Sequence, residues 1–291
     1  MHIYIKSLII SLFVTDFLNF SKVSLSIIVF LLFLYITPSS ANNLNDGHIH
    51  YNKDVWNDLS PEQLFSFLTE NRIDRAIIFS TPTTGTEKLY KHSPQRVIPF
   101  LMPYRVFRDR FTWHSDQTMV DYVKQQLMTG IYKGFGEFHL FKEHKDTPVI
   151  RQLMQLVADH KIMLSAHADG ETIEALIEMQ PDVSIIWAHC GMDHPVEDVH
   201  RMFAKYPNLF CELSFRYNMF DKQDKLVPMW RTLLEQYSNR FILGMDTYIP
   251  RRWASLPENA DFARQWLDQL QPDTAKLIGS ENITRMFPVN D

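Results

Sequence analysis

From Asn42 onward, short β-branched or aromatic runs alternate with segments of helical periodicity, and this alternation limits the possible folds more than any other feature. The strand candidates are Asn45–Ile49, Asp74–Phe79, Val97–Met102, Tyr132–Phe138, Ile162–Ala166, Ser184–Ala188, Leu209–Leu213 and Phe241–Met245. Helix signals lie between most of them. SerProGluGln from Ser60 offers an N-cap followed by Pro at the first helical position, AspThrPro from Asp146 offers a similar start, and Glu171–Met179 and Val227–Tyr237 carry apolar residues at 3,4 spacing. Strands alternating with helices read as βαβ units and hence a parallel sheet. Eight of them in about 250 residues is the size of a (β/α)8 TIM barrel. An open doubly wound sheet is the alternative, but no GxGxxG or GxxxxGK[ST] follows any strand. With no fixed-period repeat and no low-complexity linker, residues 42–291 read as one domain.

Residues 1–41 are a different material. Ser7–Phe20 and Val23–Thr37 are nearly continuous apolar runs, the second preceded by Lys22 and followed by the small-residue stretch Pro38–Ala41, which is the order of a secretory signal. Cleavage after Ala41 would release an exported periplasmic or secreted protein, and retention would leave an N-terminal membrane anchor. The net charge is -5 and there is no Lys/Arg run, so the basic footprint of a nucleic-acid binder is missing and a small-molecule partner is expected. Cys190 and Cys211 fit no zinc motif and read as buried thiols, a disulfide in an oxidising compartment being the alternative.

In a parallel barrel the reactive residues gather at the C-terminal strand ends. Those ends carry His48, His50, Glu137, His139, His167, His189 and Asp246. Residues two apart on a strand share a face, so His48 and His50 would project together into the barrel mouth, where two imidazoles can reach one cation. A lone HxH is weak evidence, but three further strands end in His or an acid.

This constellation resembles the metal-dependent amidohydrolase superfamily from Asn45 to Pro288, and most closely the branch that includes aminocarboxymuconate-semialdehyde decarboxylase-like enzymes. The tail Leu277–Phe287 is similar to the GxNAxRLF ending of that branch. The resemblance implies His48 and His50 from the first strand, His167 and His189 from the fifth and sixth, and Asp246 from the eighth as the site. Glu137 stands where two-metal members place a bridging group, as the Glu of TatD-type DNases does. It would join one ion on His48, His50 and Asp246 to another on His167 and His189, or else orient a ligand histidine from behind. Lys133, four positions earlier, is too near the strand start to serve as a carbamylated bridge.

One or two divalent ions are thus expected per chain, Zn first, with Mn, Fe or Ni acceptable to the same ligands. Such an ion activates water, so the expected reaction is hydrolysis of a carboxylic ester, lactone or amide. Asp246 would move the proton, and His189 would bind metal or the substrate oxygen. Arg105 and Arg216, in loops after the third and seventh strands, and His139, one step beyond Glu137, are the expected substrate contacts. A metal-dependent non-oxidative decarboxylase is the alternative, and an inactive exported metal- or ligand-binding barrel the second. Related barrels often pair, so a homodimer is a further option. The remaining histidines lack partner spacing, and Cys190 beside His189 would face the wrong way for a thiol nucleophile if both lay in a strand.

Overall fold

The computed structural model describes residues 43–289; the proposed signal or anchor segment, residues 1–41, lies outside the described residues. Eight parallel strands are hydrogen-bonded in chain order: β1 (Leu44–His50), β2 (Ile73–Phe79), β3 (Val97–Leu101), β4 (Gly134–His139), β5 (Met163–His167), β6 (Ile185–Trp187), β7 (Leu209–Glu212) and β8 (Phe241–Ile242). The ring closes between β8 and β1. There Gly47 N–H donates to Leu243 O at 2.7 Å, and Ile49 bridges to Thr247 in parallel. The chain is a (β/α)8 barrel.

The crossover helices start where their caps dictate. Helix α1 (Pro61–Glu70) has the full reciprocal cap, Ser60 Oγ accepting from Gln63 N and the Gln63 side chain accepting from Ser60 N, with Pro61 in the first turn. The helix predicted from Asp146 is capped by Thr147 and runs Pro148–Asp159, while Asp169 caps Gly170–Met179. Their apolar faces pack on the outside of the sheet. Inside the barrel a column of rings rises from Phe287 through Phe100 and Phe79 to His48, with centroid separations of 5.8, 5.4 and 5.1 Å. The floor is therefore apolar and the mouth polar.

Several strands are shorter than predicted, and the differences at the eighth and sixth shape the mouth. Past Ile242 the eighth strand leaves its ladder because Met245 N–H is captured by Asp46 Oδ1 at 3.0 Å, and Asp246 then takes a left-handed φ of 46°. Past Trp187, His189 and Cys190 adopt φ of 54° and 48° in a tight turn. That turn carries Cys190 over the neighbouring strand, where its Cα lies 4.7 Å from that of Cys211 and the two form a disulfide. The thiols are therefore paired, correcting the free-thiol reading. His189 belongs to a turn rather than a strand, and what removes Cys190 from nucleophilic chemistry is its disulfide.

Candidate metal centre

The strand alternation does bring His48 and His50 together: their Nε2 atoms are 3.0 Å apart, and both rings are buried. Glu137 reaches them from across the barrel. Its strand makes a sharp local excursion at Gly136, which has a φ of 121° and is joined to Glu137 by a cis peptide. Only glycine fits there, because a Cβ would sit 2.0 Å from the carbonyl oxygen of Ser165.

The Glu137 carboxylate stands between two sets of donors. Oε2 lies 3.1 and 3.3 Å from Nε2 of His48 and His50, and Oε1 lies 3.1 Å from His167 Nδ1 and 3.4 Å from His189 Nε2. Asp246 closes the first set, its Oδ1 3.6 and 3.5 Å from the same two nitrogens. That oxygen is buried and has no hydrogen-bond partner. His139 stacks on His167 at 4.3 Å, and its Nδ1 is also buried and unpartnered.

Burial disfavours the charged forms of His48, Glu137 and His139, yet mutual attraction overrides it in the first two. Burial opposes protonation of His48, but Asp246, Glu137 and Glu212 hold its pKa well above the usual imidazole range. Glu137 is driven well below the carboxylate range, burial being outweighed by His48, His167 and His189. His139 goes the other way: burial pushes its imidazole down to about 4.

The sequence reading missed the residue that holds this arrangement from behind. Glu212, at the end of β7, is 1% exposed, accepts from His48 Nδ1 at 2.8 Å and from His189 N–H at 3.1 Å, and also binds Ser214. Ser214 Oγ in turn meets His189 Nδ1 at 2.8 Å. The orienting carboxylate considered for Glu137 is thus Glu212, and both ring nitrogens of His48 are accounted for.

The arrangement fits a divalent cation. It gathers imidazole nitrogens and carboxylate oxygens within 4.8 Å of one another in the groups His48/His50/Asp246, His48/Glu137/His189 and Glu137/His139/His167, and it contains an orphaned buried carboxylate oxygen that a cation would satisfy.

These groups open into a pocket of about 450 Å3, lined also by Asn52, Thr81, Tyr104, Arg110, Phe215 and Tyr248. Neither predicted arginine reaches it. Arg105 is held by Asp109 at 3.0 Å and Asp116 at 2.6 Å, and Arg216 is buried elsewhere, donating to His194 O and lying over the Trp230 ring at 4.6 Å. The arginine in the pocket is Arg110, packed between Phe107 and Phe111 at 4.9 Å from each and, among the described residues, without an ion-pair partner. Of the predicted substrate contacts, only His139 lines the pocket.

A (β/α)8 barrel with such donors at its strand ends defines a class of metal-assisted enzymes. The family model described as Amidohydrolase matches residues 117–289, more than half of the chain, and the protein belongs to that family. Among solved structures, the chain is similar to an uncharacterised TIM-barrel protein of Bordetella bronchiseptica (TM-score 0.58, 13% identity, covering 77% of this chain and 81% of that one). It is also similar to a protein described as a probable 2-pyrone-4,6-dicarboxylic acid hydrolase of Acinetobacter baumannii, with citric acid bound (TM-score 0.57, 15% identity, 85% of this chain and 100% of that one). A third is an amidohydrolase of Burkholderia multivorans with bound HEPES (TM-score 0.55, 12% identity, 85% and 100%). At these identities the likeness is one of fold. No curated protein matches.

Proposed function

We propose that this protein is a metal-dependent hydrolase that cleaves an ester, lactone or amide bond in a small substrate bearing a carboxylate. The observation that carries this reading is the position of Glu137, with one carboxylate oxygen beside His48 and His50 and the other beside His167 and His189. His48, His50 and Asp246 would hold one divalent ion, His167 and His189 a second, and Glu137 both. When bound, such ions supply Lewis acidity that polarises a carbonyl and eases the ionisation of water.

The chain's own groups do the rest. Asp246 also lines the pocket, where its carboxylate would take a proton from water and return it to the leaving oxygen or nitrogen. Burial keeps the Tyr104 phenol protonated, and because its oxygen accepts His139 N–H, its own hydrogen is free to reach a substrate oxygen in the pocket. Arg110 offers its fork to a substrate carboxylate from the rim, and the stacked phenylalanines hold it there.

The test is elemental analysis of the purified full chain beside Glu137→Gln, with turnover of ester, lactone and amide panels. Two ions per chain, falling to one or none in the variant, with hydrolysis of a carboxylate-bearing member, is the expected result. One ion, unchanged in the variant, together with release of CO2 rather than hydrolysis, would replace this reading with the decarboxylase. Arg110→Met should raise KM for carboxylate-bearing members about tenfold or more and leave neutral ones unchanged.

A further inference from the structure

Behind the metal pocket lies a second, smaller cavity of about 70 Å3, between the loop after β7 and the long helix Leu256–Leu267. Its walls are mostly apolar, from Leu213, Met219, Phe220, Phe262 and Trp266, yet three groups on them are strong hydrogen-bond donors: Arg216, Arg252 and Asn259. Arg252 uses its donors on the carbonyls of Met245 and Asp246. Arg216 is only 2% exposed and spends one nitrogen on His194 O, while its Nε and Nη1 are buried with no partner. Asn259 Nδ2 is likewise buried and unpartnered.

No Asp or Glu lines this cavity. Asp193, whose charge Arg216 feels, is exposed, and no ion pair to Arg216 forms among the described residues. Glu212 lies behind Ser214 and Gly244 and is engaged with His48, His189 and Ser214. A buried guanidinium with two idle donors is expensive unless an acceptor meets it. The volume is too small for an organic acid of several carbons, and it suits a small ion with a few waters.

We propose that this cavity is a binding site for a small monovalent anion of halide size, held by Arg216 and Asn259 and further stabilised by the positive charge of Arg252. The anion completes the hydrogen bonding of Arg216 and so fixes the segment Ser214–Arg216. That segment matters to the neighbouring site, because Ser214 holds the His189 ring and Phe215 walls the metal pocket. The proposal does not depend on which reaction the metal centre performs.

Bromide is the probe. Crystals of the wild-type full chain grown in bromide should show an anomalous peak between Arg216 and Asn259, and the protein should melt roughly 3 °C higher in bromide than in gluconate at equal ionic strength. Asn259→Asp would place a fixed carboxylate in the cavity, so the variant should melt alike in both salts and lose the peak. A crystal in which this cavity holds only water, or an Asn259→Asp variant as responsive to bromide as the wild type, would overturn the proposal. Bromide bound at the metal centre would appear as a separate peak in the other pocket. Should the variant not fold, the wild-type crystal alone decides.

Discussion

Glu212 decides which nitrogen His48 shows to the pocket. Its carboxyl is held down to about 2, burial being outweighed by His48, His189 and Ser214, so it is an acceptor across the working range and His48 Nδ1 must donate to it. Nε2 then faces His50 and Glu137, and it becomes a ligand lone pair for a cation once its proton is lost. Glu212→Gln should weaken divalent-metal binding about 10- to 100-fold in a chelator competition, and unchanged affinity would remove Glu212 from this role. His139 gives a pH signature of opposite origin. Burial lowers its pKa from 6.5 to about 4, so between these values the unfolded chain holds the extra proton. Its contribution to stability is complete above about 6.5 and is lost as pH falls towards 4, by up to about 3 kcal/mol. In denaturant titrations of metal-free protein, the difference between wild type and His139→Asn should change with pH across that window and flatten outside it. His48, His50, Glu137, His167, His189 and Asp246 were legible because two-residue periodicity and strand ends place them, without any distance being known. Glu212 was not, since one acid in LeuPheCysGluLeu offers no spacing to read. The sequence reading chose Arg105 and passed over Arg110, because spacing alone does not show that Asp109 and Asp116 occupy Arg105.

The turn after β6 and the end of β7 act as one unit. His189 and Glu212 each sit next to a half-cystine, and the Cys190–Cys211 bond spans 21 residues of sequence that include the intervening helix Val196–Lys205. Closing a loop of that length stabilises a fold by about 3 kcal/mol, mainly by restricting the unfolded chain. The double variant Cys190→Ala/Cys211→Ala should lose about that much in denaturant unfolding and bind metal more weakly, since the left-handed turn that aims His189 is released from β7. Equal stability with the bond reduced would mean that the turn is held by its hydrogen bonds to Glu212 and Ser214 alone. Strand cores and helix caps were readable from local composition. The left-handed residues 189, 190 and 246 were not, because histidine, cysteine and aspartate adopt that conformation here under tertiary constraint rather than by preference.

At the scale of the molecule, the candidate site exists only when the ring is shut, because its donors come from the first, fourth, fifth, sixth and eighth strands and the loops just beyond them. The count of eight strands was visible in the sequence, but the seam was not: β8 pairs over just two residues, and the remaining closure relies on Gly47, the Asp46 side chain and Thr247. Gly47 makes that seam possible, since a Cβ would lie 2.8 Å from both Leu243 O and Ile242 Cδ1, and the first of these is fixed backbone. Gly47→Ala should therefore force β1 and β8 apart and cost about 1–3 kcal/mol in unfolding free energy. The same separation pulls His48 and His50 away from Asp246, so metal affinity should fall together with stability. Because any ion bound across the seam favours the shut barrel by mass action, excess divalent metal should raise the melting temperature of both proteins, but less for the variant with its weaker affinity, so the gap between them should widen towards a plateau as the metal concentration rises. A variant that loses stability while binding metal as tightly as the wild type would show that the seam and the site are mechanically independent, and the geometry of Asp46, Gly47 and Asp246 argues that they are not.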